Sequence, residues 1–177
     1  MDLITLKGTP AEIGHQHGEL LQGQVRRAWD FYSKTLFNGQ LAQLEEYGYR
    51  FLEVIRTFRS DYATEIIALA EGAGLASWQI AALNARTEIL HNLTDIDVGE
   101  CTAMYFPGTR TLGQNWDWMQ ELEPLVVAMQ IERADGHRIL QMTEPGIIGK
   151  IGLNSNGIGA CLNMIRGGAR ADAVPVH

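Results

Sequence analysis

Apolar residues recur at helical spacing through the first half of the chain and then give way to short runs broken by turn signals. Thr9-Pro10-Ala11-Glu12 has the pattern of a capping box, with Thr9 at the N-cap, Pro10 at the first helical position and Glu12 reaching back. The helix it opens carries Ile13, Leu20, Leu21, Val25, Ala28, Trp29 and Tyr32 on its apolar face. A second long helix is predicted from Leu44, Phe51, Val54, Ile55, Phe58, Tyr62, Ile66 and Leu69, and Gly72 and Gly74 are expected to end it. Ser77 is expected to cap a third, through Ile80, Leu83, Asn84 and Thr87 toward Leu90.

From Cys101 onward the pattern reads as β. Pro107-Gly108, Asp135-Gly136 and Asn156-Gly157 mark turns, and strands are predicted over 125–132, 137–143, 147–154 and 158–164. Asn156-Gly157 suits a type I′ hairpin, in which both central residues take positive φ. The tail 169–177 has no periodicity and reads as unstructured. The expected class is α+β, with a mainly helical region over 1–100 and a β-meander over 101–177. Such a sheet has two faces, and one helical block precedes it. The expectation is therefore a larger fold of which this is the front part, completed by a missing C-terminal half supplied separately or by self-association into a homo-oligomer.

Composition narrows the function classes. A formal charge of −7 and a pI near 5.2 argue against a nucleic-acid partner, which calls for a basic face. The start Met-Asp-Leu-Ile-Thr-Leu has no basic segment, and no apolar run approaches membrane-spanning length, so no membrane partner is expected and the cytoplasm is the expected compartment. Two cysteines give no disulfide framework. Cys161, inside Ile158-Gly159-Ala160-Cys161-Leu162, reads as a small buried hydrophobe. His15 and His17 stand two apart on a helix and do not converge, so no metal site is expected. Glu144-Pro145-Gly146-Ile147-Ile148-Gly149-Lys150 lacks the Ser/Thr of a phosphate-cradling loop, and no cofactor is implied. The four tryptophans read as core, with Trp116 and Trp118 also placed to line an acyl pocket.

Candidate chemistry gathers around Cys101. Its thiol opens one short strand, Cys101-Thr102-Ala103-Met104-Tyr105, and a carboxylate, Asp117, stands near the end of the next, Leu112-Gly113-Gln114-Asn115-Trp116-Asp117. These blocks have partners elsewhere in order: Gly8-Thr9-Pro10-Ala11-Glu12-Ile13-Gly14 with His17-Gly18, Leu83-Asn84-Ala85-Arg86-Thr87-Glu88, and Glu144 through Gly149-Lys150 to Gly152-Leu153-Asn154-Ser155. Together they resemble the acyl-coenzyme A:6-aminopenicillanic-acid acyltransferase family, N-terminal-nucleophile cysteine hydrolases that cut themselves to expose the thiol. The resemblance implies an αββα sandwich, incomplete here, since family members are twice this length. It implies cleavage between Glu100 and Cys101, although the family commonly has glycine where Glu100 stands. Gln114 stands where related bile-salt and penicillin V amidases carry arginine, which places the chain on the acyltransferase branch.

Under that resemblance the roles follow. A thiol with an ordinary pKa near 8.5 needs a base, and a newly freed α-amine, with a pKa near 7.7–8.0, is suited to take its proton. Cys101 is then the nucleophile and Asp117 the residue orienting its amine. Asn163 lies near the oxyanion position, with a turn role as the plain alternative. Gln114 and Asn115 are support candidates. Arg86 either counters Asp95, Asp97 and Glu100 beside the cleaved bond or forms a surface ion pair. The partner is a small acyl amide or acyl thioester, a coenzyme A ester among them. The rival expectation is an uncleaved, catalytically incomplete scaffold or one piece of a split enzyme.

Overall fold

The computed structural model describes residues 3–93, 101–163 and 173–177. Its fold is mixed α+β: a layer of helices packed on one face of a five-stranded sheet, with a separate two-stranded hairpin.

The helices are α1 (Pro10–Leu20), α2 (Gln22–Phe31), α3 (Leu41–Phe58), α4 (Ser60–Ala73), α5 (Ser77–Asn84) and α6 (Arg86–Leu93), with a π-helical turn at Tyr32–Leu36 after α2. The Thr9 capping box forms: Thr9 N–H donates to Glu12 Oε2 at 2.8 Å and Glu12 N–H to Thr9 Oγ1 at 3.4 Å. Each long predicted helix is broken. The first divides at Leu21, which lets Ile13 and His17 as well as Val25 and Trp29 reach the core. The second divides at Arg59, whose extended backbone (φ −156°, ψ 108°) separates α3 from α4. The third divides at Ala85, and its N-cap is Ala76, whose N–H donates to the Gln79 side chain at 2.8 Å. Gly74 ends α4 in the left-handed region at φ +64°, as expected.

Gly72 has another role. It lies inside α4, and a Cβ there would stand 2.4 Å from His15 O; Cβ atoms at Gly14 and Gly18 would stand 2.1 Å from Glu65 O and 2.2 Å from Leu69 O. The three glycines let α1 and α4 approach backbone to backbone, closer than any side chain permits.

The strands are β1 (Leu3–Gly8), β2 (Thr102–Phe106), β3 (Thr111–Asn115), β4 (Val127–Arg133), β5 (Arg138–Thr143), β6 (Ile151–Asn154) and β7 (Gly159–Ala160). The main sheet has the order β1-β4-β5-β6-β7, with β1 parallel to β4 and the other pairs antiparallel. Strand β1 has no counterpart in the sequence reading, and β2–β3 pair with each other rather than joining the meander. Val127, Met129 and Ile131 of β4 face the helices and close a core with Leu6, Ile13, Tyr32, Phe51, Ile66 and Ile80. On the opposite face Leu140 and Leu153 are exposed, as are Met104, Tyr105 and Phe106 of β2.

The turns correct the type I′ expectation. Gly157 has φ +80°, but Asn156 is not among the residues with positive φ. Asn154 N–H donates to Ile158 O at 2.9 Å and Gly157 N–H to Asn154 O at 3.0 Å, the pattern of a turn followed by a glycine bulge. Asp135-Gly136 repeats it, with Gly136 at φ +86°. In the hairpin after β2 the left-handed residue is Arg110 (φ 52°), not Gly108. Residues 173–177 form no helix or strand, yet Val176 N–H donates to Glu88 Oε1 at 3.0 Å and His177 Nε2 lies 3.2 Å from Thr87 Oγ1.

Candidate active site

The β2–β3 pairing sets Thr102 opposite Asn115, so Cys101 and the residues after Asn115 meet at the open end of the hairpin. Cys101 Sγ lies 3.7 Å from the main-chain oxygen of Asp117, to which its thiol donates. Asp117 itself is exposed two residues past the end of β3. From the other side Asn163 Nδ2 donates to the carbonyl of Cys101 at 3.2 Å. Asn163 follows β7 in irregular chain rather than standing on the strand predicted for it. Gln114 fixes that segment: its Nε2 donates to Leu162 O at 2.5 Å and to Asn163 Oδ1 at 3.2 Å, and its Oε1 accepts from Leu162 N–H at 3.0 Å. Cys101, Asp117, Asn163 and Gln114 are therefore gathered in one place. Asn115 is exposed in the hairpin. Glu100, with Asp95 and Asp97, lies outside the described residues.

Arg86 is not a surface residue. Its side chain is 3% exposed, and Nη2 donates to Glu144 Oε2 at 2.8 Å, while Glu144 is wholly buried. Lys150 Nζ reaches the same oxygen at 2.6 Å. Tyr32 OH donates to Glu144 Oε1 at 2.5 Å and accepts from Arg86 Nε at 2.7 Å and Trp118 Nε1 at 2.8 Å. The Lys150 ammonium lies 3.6 Å from the Trp116 ring centroid, and Arg86 sits over both Tyr32 and Trp118. Burial alone would raise the Glu144 pKa, but Arg86 and Lys150 outweigh it and hold the carboxyl below its ordinary value. Burial, with Arg86 alongside, brings Lys150 down to about 7 against the pull of Glu144, and Lys150 also feels the charge of Cys101. Burial lifts Tyr32 well above its ordinary value, so it remains a neutral donor.

The loop after β5 that presents Glu144 is pinned by residues from the first two sequence blocks. Gly146 N–H donates to His17 Nε2 at 3.0 Å. Asn84 Nδ2 donates to Gly146 O at 2.8 Å, and Ile148 N–H donates to Asn84 Oδ1 at 2.9 Å. Burial drives the His17 pKa down to about 3, in keeping with a ring that accepts through Nε2. Gly146 takes φ +94°, which favours glycine, and a Cβ there would meet Leu83 Cδ1 at 2.9 Å. Blocks far apart in sequence thus converge on one buried carboxylate. The sequence reading set Glu144 and Lys150 in a matching block and Tyr32 on an apolar helix face but gave none of them a role in the site; an acidic residue inside an otherwise apolar and glycine-rich stretch was the one signal available.

Beside Asp117 a cavity of about 360 Å³ is lined by Trp116, Asp117, Trp118, Met119, Leu122 and Val126. Among the described residues no cluster of His, Cys, Asp and Glu has the arrangement of a metal site. Among the described residues no helix is long and apolar enough to cross a membrane.

A half-buried thiol at the end of the hairpin thus stands near a buried ion cluster on a mixed helix–sheet scaffold. No family model matches the chain. It is 33% identical over 181 residues to the 40 kDa form of acyl-coenzyme A:6-aminopenicillanic-acid acyltransferase from Emericella nidulans, a match that takes in 98% of the chain and 50% of that protein. The chain is a relative of that acyltransferase, as its motifs imply, and spans about half its length.

Proposed function

We infer that the chain carries the nucleophile half of a self-activating cysteine acyltransferase or amide hydrolase, with the αββα architecture of N-terminal-nucleophile enzymes. On this reading residues 1–100 form the segment before the cut and Cys101 begins the second segment. The thiol attacks the carbonyl of Glu100, the amide nitrogen of Cys101 leaves as a free amine, and water hydrolyses the resulting thioester. Mature Cys101 then holds both nucleophile and base: its α-amine takes the thiol proton and the sulfur attacks an acyl carbonyl. The leaving thiol or amine recovers that proton.

The observation that carries this reading is the gathering of Asp117, Asn163 and Gln114 around Cys101 in a relative of an acyltransferase. Asp117 is assigned to the new ammonium, Asn163 to the developing oxyanion and Gln114 to holding Asn163. Asn115 and Arg86 support the site from the hairpin and from the buried cluster. The substrate is a small acyl amide or acyl thioester, a coenzyme A ester included, with its acyl group in the cavity beside Trp116 and Trp118. The exposed apolar residues of β2, β5 and β6 are the surface that such a sandwich buries under its second sheet. Kinship with an acyltransferase favours this over an inert scaffold.

Intact-mass spectrometry tests the self-cleavage. Two fragments divided before Cys101, summing to the precursor plus one water, are expected from the wild-type protein and a single uncut mass from Cys101→Ala. Cleavage that persists in Cys101→Ala would remove the thiol from the mechanism.

A further inference from the structure

The two residues that flank Asp117 are both held by one buried carboxylate. Glu144 Oε1 reaches Trp118 through the Tyr32 hydroxyl, with links of 2.5 and 2.8 Å. Glu144 Oε2 reaches Trp116 through Lys150, with an ion pair of 2.6 Å and an ammonium 3.6 Å from the ring centroid. Between these two anchors lies the peptide oxygen of Asp117, 3.7 Å from Cys101 Sγ. Neither arm hydrogen-bonds Cys101, although the Lys150 ammonium interacts with its charge. The loop that follows Glu144 is itself held at Gly146 and Ile148 by His17 and Asn84, so the peptide is referred back to the helical core.

We propose that Glu144 is a positioning residue for the Cys101 thiol: through Tyr32–Trp118 and Lys150–Trp116 it fixes the Asp117 carbonyl to which that thiol donates. The proposal rests on the nucleophile reading above and adds to it a device that sets the thiol's rotamer. A thiol that donates to a fixed carbonyl is held in one direction, ready for one carbonyl substrate rather than for any electrophile. Loosening either arm frees the carbonyl, and the thiol loses the hydrogen-bond partner that directs it.

The test is the rate of alkylation by iodoacetamide, followed across pH in a Cys161→Ala background, where Cys101 is the one remaining thiol. Glu144→Gln loosens both arms. Tyr32→Phe cuts the Trp118 arm without changing charge, and it decides the matter should Glu144→Gln not fold, which far-UV circular dichroism reports. Both variants are expected to react roughly 2- to 10-fold faster on the rising limb of the pH profile, the range that loss of one net hydrogen bond spans. The gain is expected to vanish on the alkaline plateau, where no thiol proton remains to donate. Ile55→Val, a conservative core change in α3 that alters no polar contact, serves as control and is expected to leave the profile unaltered. An unchanged rising limb in a folded Tyr32→Phe, or an equal gain on the plateau or in Ile55→Val, overturns the proposal. Failure of the nucleophile reading is distinguishable, because acylation of Cys101 by hexanoyl-coenzyme A is read on the same samples and is absent in that case while the alkylation shift persists.

Discussion

The Glu144 cluster and the β2–β3 hairpin are neighbours built on opposite principles. The first is closed to solvent, with Glu144 at 0% and Arg86 at 3% exposure, and its carboxylate is met by Arg86, Lys150 and the Tyr32 hydroxyl. The second is open: Met104, Tyr105 and Phe106 are 57%, 59% and 52% exposed, and the thiol that precedes their strand donates to a single main-chain oxygen, that of Asp117. The difference separates cost from function. Burying three charges is expensive and tolerable only when each is paired, so the cluster is rigid. The hairpin is largely solvent-exposed and carries a half-buried thiol at its end, so its geometry must be imported from the rigid part.

That contrast breaks most readily at Glu144. Glu144→Gln leaves Arg86 and Lys150 buried against a neutral amide and is expected to cost about 3–5 kcal/mol in denaturant unfolding. A loss under about 1 kcal/mol would show that the cluster is not a structural anchor.

Next in size is the helix pair behind it. Gly14→Ala places a methyl 2.1 Å from Glu65 O and is expected to cost about 1–3 kcal/mol, whereas Gly23→Ala, with open space at its Cβ position, is expected to be neutral or stabilising. Equal effects at both glycines would remove close approach as the explanation.

His17 sharpens the comparison through pH. Its pKa falls from 6.5 to about 3 on burial, so between those values the unfolded chain binds the extra proton and stability declines as pH drops from 6.5 toward 3. Glu65, raised to about 7 by burial against the pull of Arg133, works in the opposite sense: its contribution is full below 4.5 and is lost as pH rises through 7. The difference between wild type and His17→Gln isolates the histidine. The variant is expected to lose about 1.4 kcal/mol per pH unit of slope between pH 4 and 6, the value for one proton. Parallel stability–pH curves would contradict a buried neutral His17.

The smallest effect belongs to the hairpin: Met104→Ser or Tyr105→Ser is expected to shift stability by under about 0.5 kcal/mol, as for surface positions generally. A loss of several kcal/mol would mean that these side chains are buried in solution.

What was readable in the sequence follows the same divide. Cys101 and Asp117 are joined by a single turn, so strand alternation and the Pro107-Gly108 signal place them together, as does the Thr9 capping box for α1. Tyr32 and Glu144 are 112 positions apart and Arg86 and Glu144 are 58 apart, and no local period encodes such meetings. The breaks at Arg59 and Ala85 were hidden because the apolar stripe runs on across them. Gly14, Gly18 and Gly72 were visible, but a helix-packing glycine and a helix-ending glycine look alike until the partner helix is known. Strand β1 escaped because its six residues find their pairing with β4, a partner more than a hundred positions away.

The account turns on Cys101 as the acyl-accepting atom. The direct measurement is to expose the protein to hexanoyl-coenzyme A, quench in acid and locate the added acyl mass by peptide mapping. The account predicts the acyl group on Cys101 and none on any residue of Cys101→Ala. Acyl mass on Cys161 or Lys150 with Cys101 unmodified would contradict it.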